Sequence, residues 1–132
     1  MDLKNYFKNN KGFGVLSTAD DKGKVDAAAY ANPHVIDEKH VAFIMGDKLS
    51  LANLRKNPYA VYLFKEEGSE YEGKRLYLKK DSETDDKKTI EDTCKDEWPG
   101  PYCVPQYLEN SSLAYFTVES VRPLVVSEKK DQ

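Results

Sequence analysis

Met45-Gly46-Asp47-Lys48-Leu49-Ser50-Leu51-Ala52-Asn53-Leu54-Arg55-Lys56-Asn57-Pro58 stands between two apolar runs, Val41-Ala42-Phe43-Ile44-Met45 and Ala60-Val61-Tyr62-Leu63-Phe64. The flanking runs read as strands and the stretch between them as one short helix. Ser50 is a favoured N-cap, Leu51 and Leu54 share a face, Arg55 and Lys56 suit the last turn, and Pro58 stops it. A glycine-bearing loop, a lysine and a hydroxyl at a helix start bring backbone N–H groups and the positive end of the dipole to one spot. That is a seat for a phosphate. A plain strand-to-helix connection uses the same residues, and this stretch alone leaves both readings open.

The chain has 132 residues, so one domain, 1–132, is expected, burying roughly two-thirds of its unfolded surface. A charged fraction of 33% and a net charge of -3 describe a well-solvated exterior. Arg55-Lys56 and Lys79-Lys80 are the longest basic runs singled out, which argues against a nucleic-acid surface. The opening Met1-Asp2-Leu3-Lys4-Asn5-Tyr6-Phe7-Lys8 lacks the apolar core of a secretory signal, and no apolar stretch reaches membrane-spanning length. A cytoplasmic protein without a membrane partner is expected. Cys94 and Cys103 are spaced so that a disulfide can form, but in a reducing cytoplasm two free thiols are the expected state. With His34 and His40 the only histidines, no metal site is expected.

In chain order, residues 2–9 suit a short helix with Leu3, Tyr6 and Phe7 on one face. Gly12 to Ala19 reads as a strand, Asp20-Asp21-Lys22-Gly23 as a hairpin turn, and Lys24 to Asn32 as the returning strand. Ala27-Ala28-Ala29 in that strand are poor β-formers; they keep its surface low, as a flat ligand ring lying on the backbone requires. A turn at Asp37-Glu38-Lys39 leads to strand 40–46. Two hairpins, a helix and another strand give an antiparallel meander able to curl into a barrel. Strand 60–64 is apolar on both faces, with Val61 and Leu63 on one and Ala60, Tyr62 and Phe64 on the other. A second copy of the chain or the first helix must cover the outer one. Tyr71 to Lys79 reads as a strand with Arg75, Tyr77 and Lys79 on one face. Ser82 to Trp98 reads as a helix capped by Ser82 with an Ile90, Cys94, Trp98 stripe. Pro99-Gly100-Pro101 then opens an irregular, aromatic loop to about residue 111, before a last strand over 112–121.

The order of these motifs is that of a known family. Gly12-x-Gly-Val-Leu-Ser-Thr-Ala19, Gly23-Lys24 with a small-residue strand, Val41-Ala-Phe-Ile44, Asn53-Leu-Arg-Lys-Asn-Pro58, Tyr71-Glu-Gly-Lys-Arg-Leu-Tyr77 and Val121-Arg-Pro-Leu124 follow one another over nearly the whole chain. The sequence resembles the pyridoxamine 5'-phosphate oxidase-like family of FMN-binding split barrels. The resemblance implies a mainly β protein with a few helices, a six-stranded antiparallel split β-barrel, homodimeric, with FMN in grooves between the subunits. It implies phosphate contacts from Lys48 and Ser50, in the loop before the helix, and a cofactor contact from Asn53 of the Asn53-Leu-Arg-Lys-Asn-Pro58 element. It places the isoalloxazine along Ala29, Tyr30, Ala31 and Asn32, with a further contact from Arg75. Leu49 stands where many relatives carry a basic residue. The arginine-rich C-terminal segment of true pyridoxamine 5'-phosphate oxidases has no counterpart in Val126-Ser-Glu-Lys-Lys-Asp-Gln132, so the vitamin B6 reaction is not expected.

No nucleophile–base or paired-carboxylate arrangement with interpretable spacing points to another chemistry. The resemblance implies an FMN-dependent oxidoreductase passing electrons or hydride to a small acceptor or exchanging them with a nicotinamide. The alternatives are a non-catalytic electron carrier, a split barrel holding haem, and a structural dimer without cofactor.

Overall fold

The computed structural model describes residues 2–46, 48–98, 103 and 108–125. The elements are α1 (Leu3–Asn9), β1 (Gly12–Ala19), β2 (Val25–Ala29), β3 (His34–Val35), β4 (His40–Met45), α2 (Lys48–Lys56), β5 (Tyr59–Glu66), β6 (Gly73–Thr84), α3 (Lys87–Glu97) and β7 (Ser112–Pro123). All strand pairs are antiparallel, in the order β2-β1-β5-β6-β7-β4-β3. The described sheet thus has seven strands rather than the six expected. Pro33 is the reason: it offers no N–H, ends the run expected over Lys24 to Asn32, and leaves His34–Val35 as a separate short strand.

The two edge strands, β2 and β3, are neighbours in sequence. Residues 30–33 alone join Ala29 to His34, and so few residues reach at most about 18 Å. The sheet therefore curls until its edges approach, which is the geometry of a split barrel. Helix α2 contacts β1 and β2 on one side and β4 on the other.

Inside the curl lies an aromatic cluster. Tyr62 and Phe64 of β5, Phe43 of β4 and Phe116 of β7 are buried, with the Phe43 ring 5.0 Å from Tyr62 and 5.7 Å from Phe116. Helix α1 adds Leu3 and Phe7 to this same core, Phe7 packing edge-on to Phe64 at 5.2 Å. It therefore does not cover the outer face of β5, where Tyr59 and Leu63 remain 53% and 37% exposed. Of the two covers expected for that face, the helix is excluded.

The Tyr62 hydroxyl reaches the strip that bridges the two sheet edges. Its oxygen lies 3.1 Å from the Tyr30 carbonyl and 3.0 Å from the Ala31 carbonyl, so one O–H donor is shared between two acceptors. Burial pushes the phenol above its ordinary range and keeps it a donor. Gly14 makes room for it, since a Cβ there would overlap the Tyr62 hydroxyl and ring.

Two expectations are corrected toward the C-terminal half. Ser82 pairs with Tyr115 inside the long β6 and does not cap a helix. Asp86 caps α3, accepting from the Thr89 N–H at 3.0 Å. Ile90 and Cys94 do form the expected buried stripe, packed on the outer side of β4 and β7 through Ala42 and Leu113. Cys94 is not a free thiol but is bonded to Cys103, with a Cα–Cα distance of 5.7 Å. Both sulfurs are buried on the covered side of α3, where Cys103 meets the stripe. The rest of the aromatic loop expected after Pro99 lies largely outside the described residues.

Gly14→Ala should cost about 1–3 kcal/mol by overpacking, and Tyr62→Phe about 1–3 kcal/mol by leaving buried carbonyls without their donor; urea denaturation reads both. Reducing the disulfide, whose cysteines are 9 apart in sequence, should lower stability by about 2–3 kcal/mol on chain-entropy grounds. Denaturation with and without reductant checks this, with Cys94→Ser matching the reduced protein.

Candidate functional site

In an antiparallel sheet, directly paired residues point to the same face. One row on the outer face runs Ala29, Val15, Leu63, Arg75, Arg122 across β2, β1, β5, β6 and β7. The next runs Ala27, Ser17, Val61, Tyr77, Ser120. The registers thus bring Ala29 and Arg75 onto one face, three strand spacings or about 14 Å apart. Helix α3 covers the β4–β7 part of the outer face and leaves this part open.

At the β2 end of the first row, Gly12, Phe13, Gly14, Ala29, Tyr30 and Ala31 line a shallow depression of about 250 Å³. Its floor is low because Ala29, on the outer face, and Ala31 present at most a methyl group to it. Phe13 is 61% exposed and stands at its side as a free aromatic face. Arg75 lies across the same face. Its Nε donates to the Pro123 carbonyl at 2.9 Å, while its Nη2 is buried with no hydrogen-bond partner among the described residues. An unpaired buried guanidinium N–H is costly unless an acceptor meets it. A flat aromatic group with an anionic tail fits a low floor beside an exposed ring and a guanidinium on the same face.

The remaining expected site residues are placed differently. Tyr30 turns its ring inward, edge-on to Phe43 at 5.9 Å. Asn32 spends its amide on the Phe7 and Asn10 carbonyls at 3.3 and 3.4 Å, fastening the end of α1. Asn53 is buried and donates to Thr18 Oγ1 at 3.1 Å, so its side chain anchors α2 to β1. Helix α2 starts at Lys48, two residues before the expected cap. Ser50 is consequently inside the first turn and fully buried, while Lys48 is exposed. Neither histidine lies in the depression: His34 Nδ1 faces Glu97 at 3.0 Å and His40 Nδ1 faces Asp37 at 2.8 Å. Among the described residues no group of side chains is arranged to hold a metal ion. No described helix is long and apolar enough to cross a membrane.

Sequence reasoning did not mark Gly12, Phe13 and Gly14 as lining residues. The signal was present: an aromatic between two glycines on a strand is exposed on a stripped backbone. The other end of α2 is fixed by charge. Arg55 meets Glu83 of β6 in a two-pronged pair, Nε to Oε1 and Nη2 to Oε2, both at 2.9 Å, and Lys80 Nζ reaches Oε1 at 2.7 Å. The Arg55 hydrogen bonds, with Lys80 assisting, hold the Glu83 carboxyl at about 2.

No protein-family model matches the sequence, and no curated protein matches it significantly. Solved structures do match in fold. An FMN-binding protein from Syntrophomonas wolfei subsp. wolfei superposes with a TM-score of 0.73 at 16% identity, over 92% of this chain and 83% of that one. An F420 reductase gives 0.71 at 14% identity, over 89% and 94%. A candidate pyridoxamine 5'-phosphate oxidase from Lactobacillus delbrueckii gives 0.64 at 16% identity, over 89% and 88%. The chain has the split-barrel fold of the pyridoxamine 5'-phosphate oxidase-like proteins. Along the chain the elements follow the expected order of motifs with β3 added, but the sheet order is not the expected meander, since β5 lies beside β1 and β4 beside β7.

Since Glu83 is depressed to about 2 from an ordinary 4.5, its contribution is fully present above pH 4.5 and is lost as the pH falls toward 2. Unfolding midpoints measured across that window should fall less steeply in Glu83→Gln than in the wild type.

Proposed function

We propose that this split barrel is a single FMN-binding domain whose groove is the open outer face of β2, β1, β5 and β6. The observation that carries the reading is the low alanine floor beside exposed Phe13, on the same face as the unpartnered Nη2 of Arg75. The isoalloxazine lies along Ala29, Tyr30 and Ala31, with the Phe13 ring at its edge. Arg75 receives an anionic group of the cofactor, and Lys48 adds positive charge from the start of α2, whose first turn also contains Ser50. Asn32 and Asn53 act at one remove, by fixing α1 and α2 through their buried amides.

When bound, FMN supplies hydride and electron transfer, which makes an oxidoreductase acting on a small acceptor or a nicotinamide the preferred activity. The chain's own part is to bind, orient and shield. Ala29 and Ala31 let a planar group approach the backbone, and Tyr62 holds the carbonyls of Tyr30 and Ala31 in place beneath it. Tyr59, Leu63 and Phe13 are exposed and, with half-buried Val61, give this face an apolar surface suited to burial against a partner. A second copy of the chain seated there completes a homodimer and closes the groove from above.

Purified protein mixed with FMN and passed through gel filtration should retain twin absorption bands near 375 and 450 nm (approximate values for a bound flavin) and elute as a dimer. Arg75→Gln should weaken FMN binding by about 10- to 100-fold, the worth of a hydrogen bond to a charged group, while the thermal unfolding midpoint falls only by the loss of the Nε bond to the Pro123 carbonyl. Protein that elutes colourless overturns the reading.

A further inference from the structure

A second cavity, of about 470 Å³, opens between α1, the bridging strip and the end of α3, and shares no lining residue with the Ala29–Ala31 depression. Its volume falls in the range of small-molecule sites. Phe7, Pro33 and Val35 supply apolar wall, and Trp98, the sole tryptophan of the chain, stands half-buried at its side. The Trp98 backbone is held in place: its main-chain N–H closes the last turn of α3 on the Cys94 carbonyl at 2.8 Å, and Cys103 Sγ lies 3.5 Å from the Trp98 carbonyl oxygen.

Lys4 and Lys8, one helical turn apart on α1, and Lys11 just beyond it line the opposite side. Like charges at this spacing cost stability, and none of the three has a carboxylate within ion-pairing distance among the described residues. The cavity's own acids do not supply one. Glu97 and Asp96 are turned to His34 Nδ1, at 3.0 and 3.8 Å. The result is a slot of mixed lining, with an apolar wall that includes the Trp98 indole and, on α1 and just beyond it, three ammonium groups outside any ion pair among the described residues.

We propose that this cavity binds a small planar organic anion, an aromatic carboxylate or its equivalent, with the ring against Trp98 and the anionic group toward Lys4, Lys8 and Lys11. The site is separate from the flavin groove, so it stands or falls independently of that reading. An aromatic face and a cation flank the ligand from two sides, which selects for flat body and negative charge together.

The test titrates the protein with 4-nitrobenzoate, reading Trp98 fluorescence and confirming stoichiometry by calorimetry. Methyl 4-nitrobenzoate, which keeps the ring and removes the charge, and acetate, which keeps the charge and removes the ring, serve as comparison probes. Saturable one-to-one binding of 4-nitrobenzoate is expected, at least about tenfold tighter than either comparison probe. It should weaken about fivefold or more between about 20 and 300 mM salt. Lys8→Gln with Lys11→Gln should reduce it by a similar factor, while circular dichroism and the thermal midpoint stay unchanged. Quenching that rises linearly without saturation overturns the proposal, as does equal affinity for the neutral ester or full affinity in the lysine variant. Because the lysine side chains are exposed, the variant tests binding rather than folding; Trp98→Phe, read by calorimetry alone, tests the indole wall by the same criterion.

Discussion

One hydroxyl in the core governs the shape of the rest. Tyr62 reaches up from β5 past the vacant position at Gly14 and holds the carbonyls of Tyr30 and Ala31. That strip is the only covalent connection between the two edges of the sheet, so fixing its carbonyls fixes how far the edges curl toward each other. The same bond sets the height of the Ala29–Ala31 backbone. Core packing and the floor of the candidate groove are therefore two sides of one constraint.

The faces of the sheet divide the remaining work. The inner face collects the aromatic cluster and both buried residues of α1. The outer face is split: α3 covers β4 and β7, and β2, β1, β5 and β6 remain open. A single chain thus leaves apolar side chains of β5 on both faces, which is unusual for a strand that no helix covers. Charge then fixes the accessory elements, with Arg55 and Lys80 converging on Glu83 to bind α2 to β6.

Most of the fold was legible in the sequence because period-two patterns and turn residues are local. Gly23, with its positive φ of 83°, makes the hairpin expected between β1 and β2. What was not legible depended on partners distant in the chain. Ser82 reads as a helix cap until β7 arrives to pair with it, and tertiary pairing then outweighs the local signal. Asn53 and Asn32 read as ligand contacts by their type and motif, yet Thr18 and the end of α1 take their amides. The spacing of Cys94 and Cys103 allowed a disulfide, but the expected reducing surroundings favoured free thiols, and only packing decides whether two buried sulfurs meet. Phe13 is the converse case: its exposure between two glycines was written locally and went unread.

The pairing of Val41 with Phe116 joins residues separated by more than half the chain, and that of Leu16 with Tyr62 spans a long loop as well. Each contact must repay a large loss of chain entropy before the aromatic cluster can reward it. The β1–β2 and β5–β6 hairpins close over short turns and can form early, but the curl waits for β7. Such a molecule assembles slowly for its size. Until β7 docks, the outer side of β4, later sheltered by α3, is bare to any neighbouring chain during synthesis.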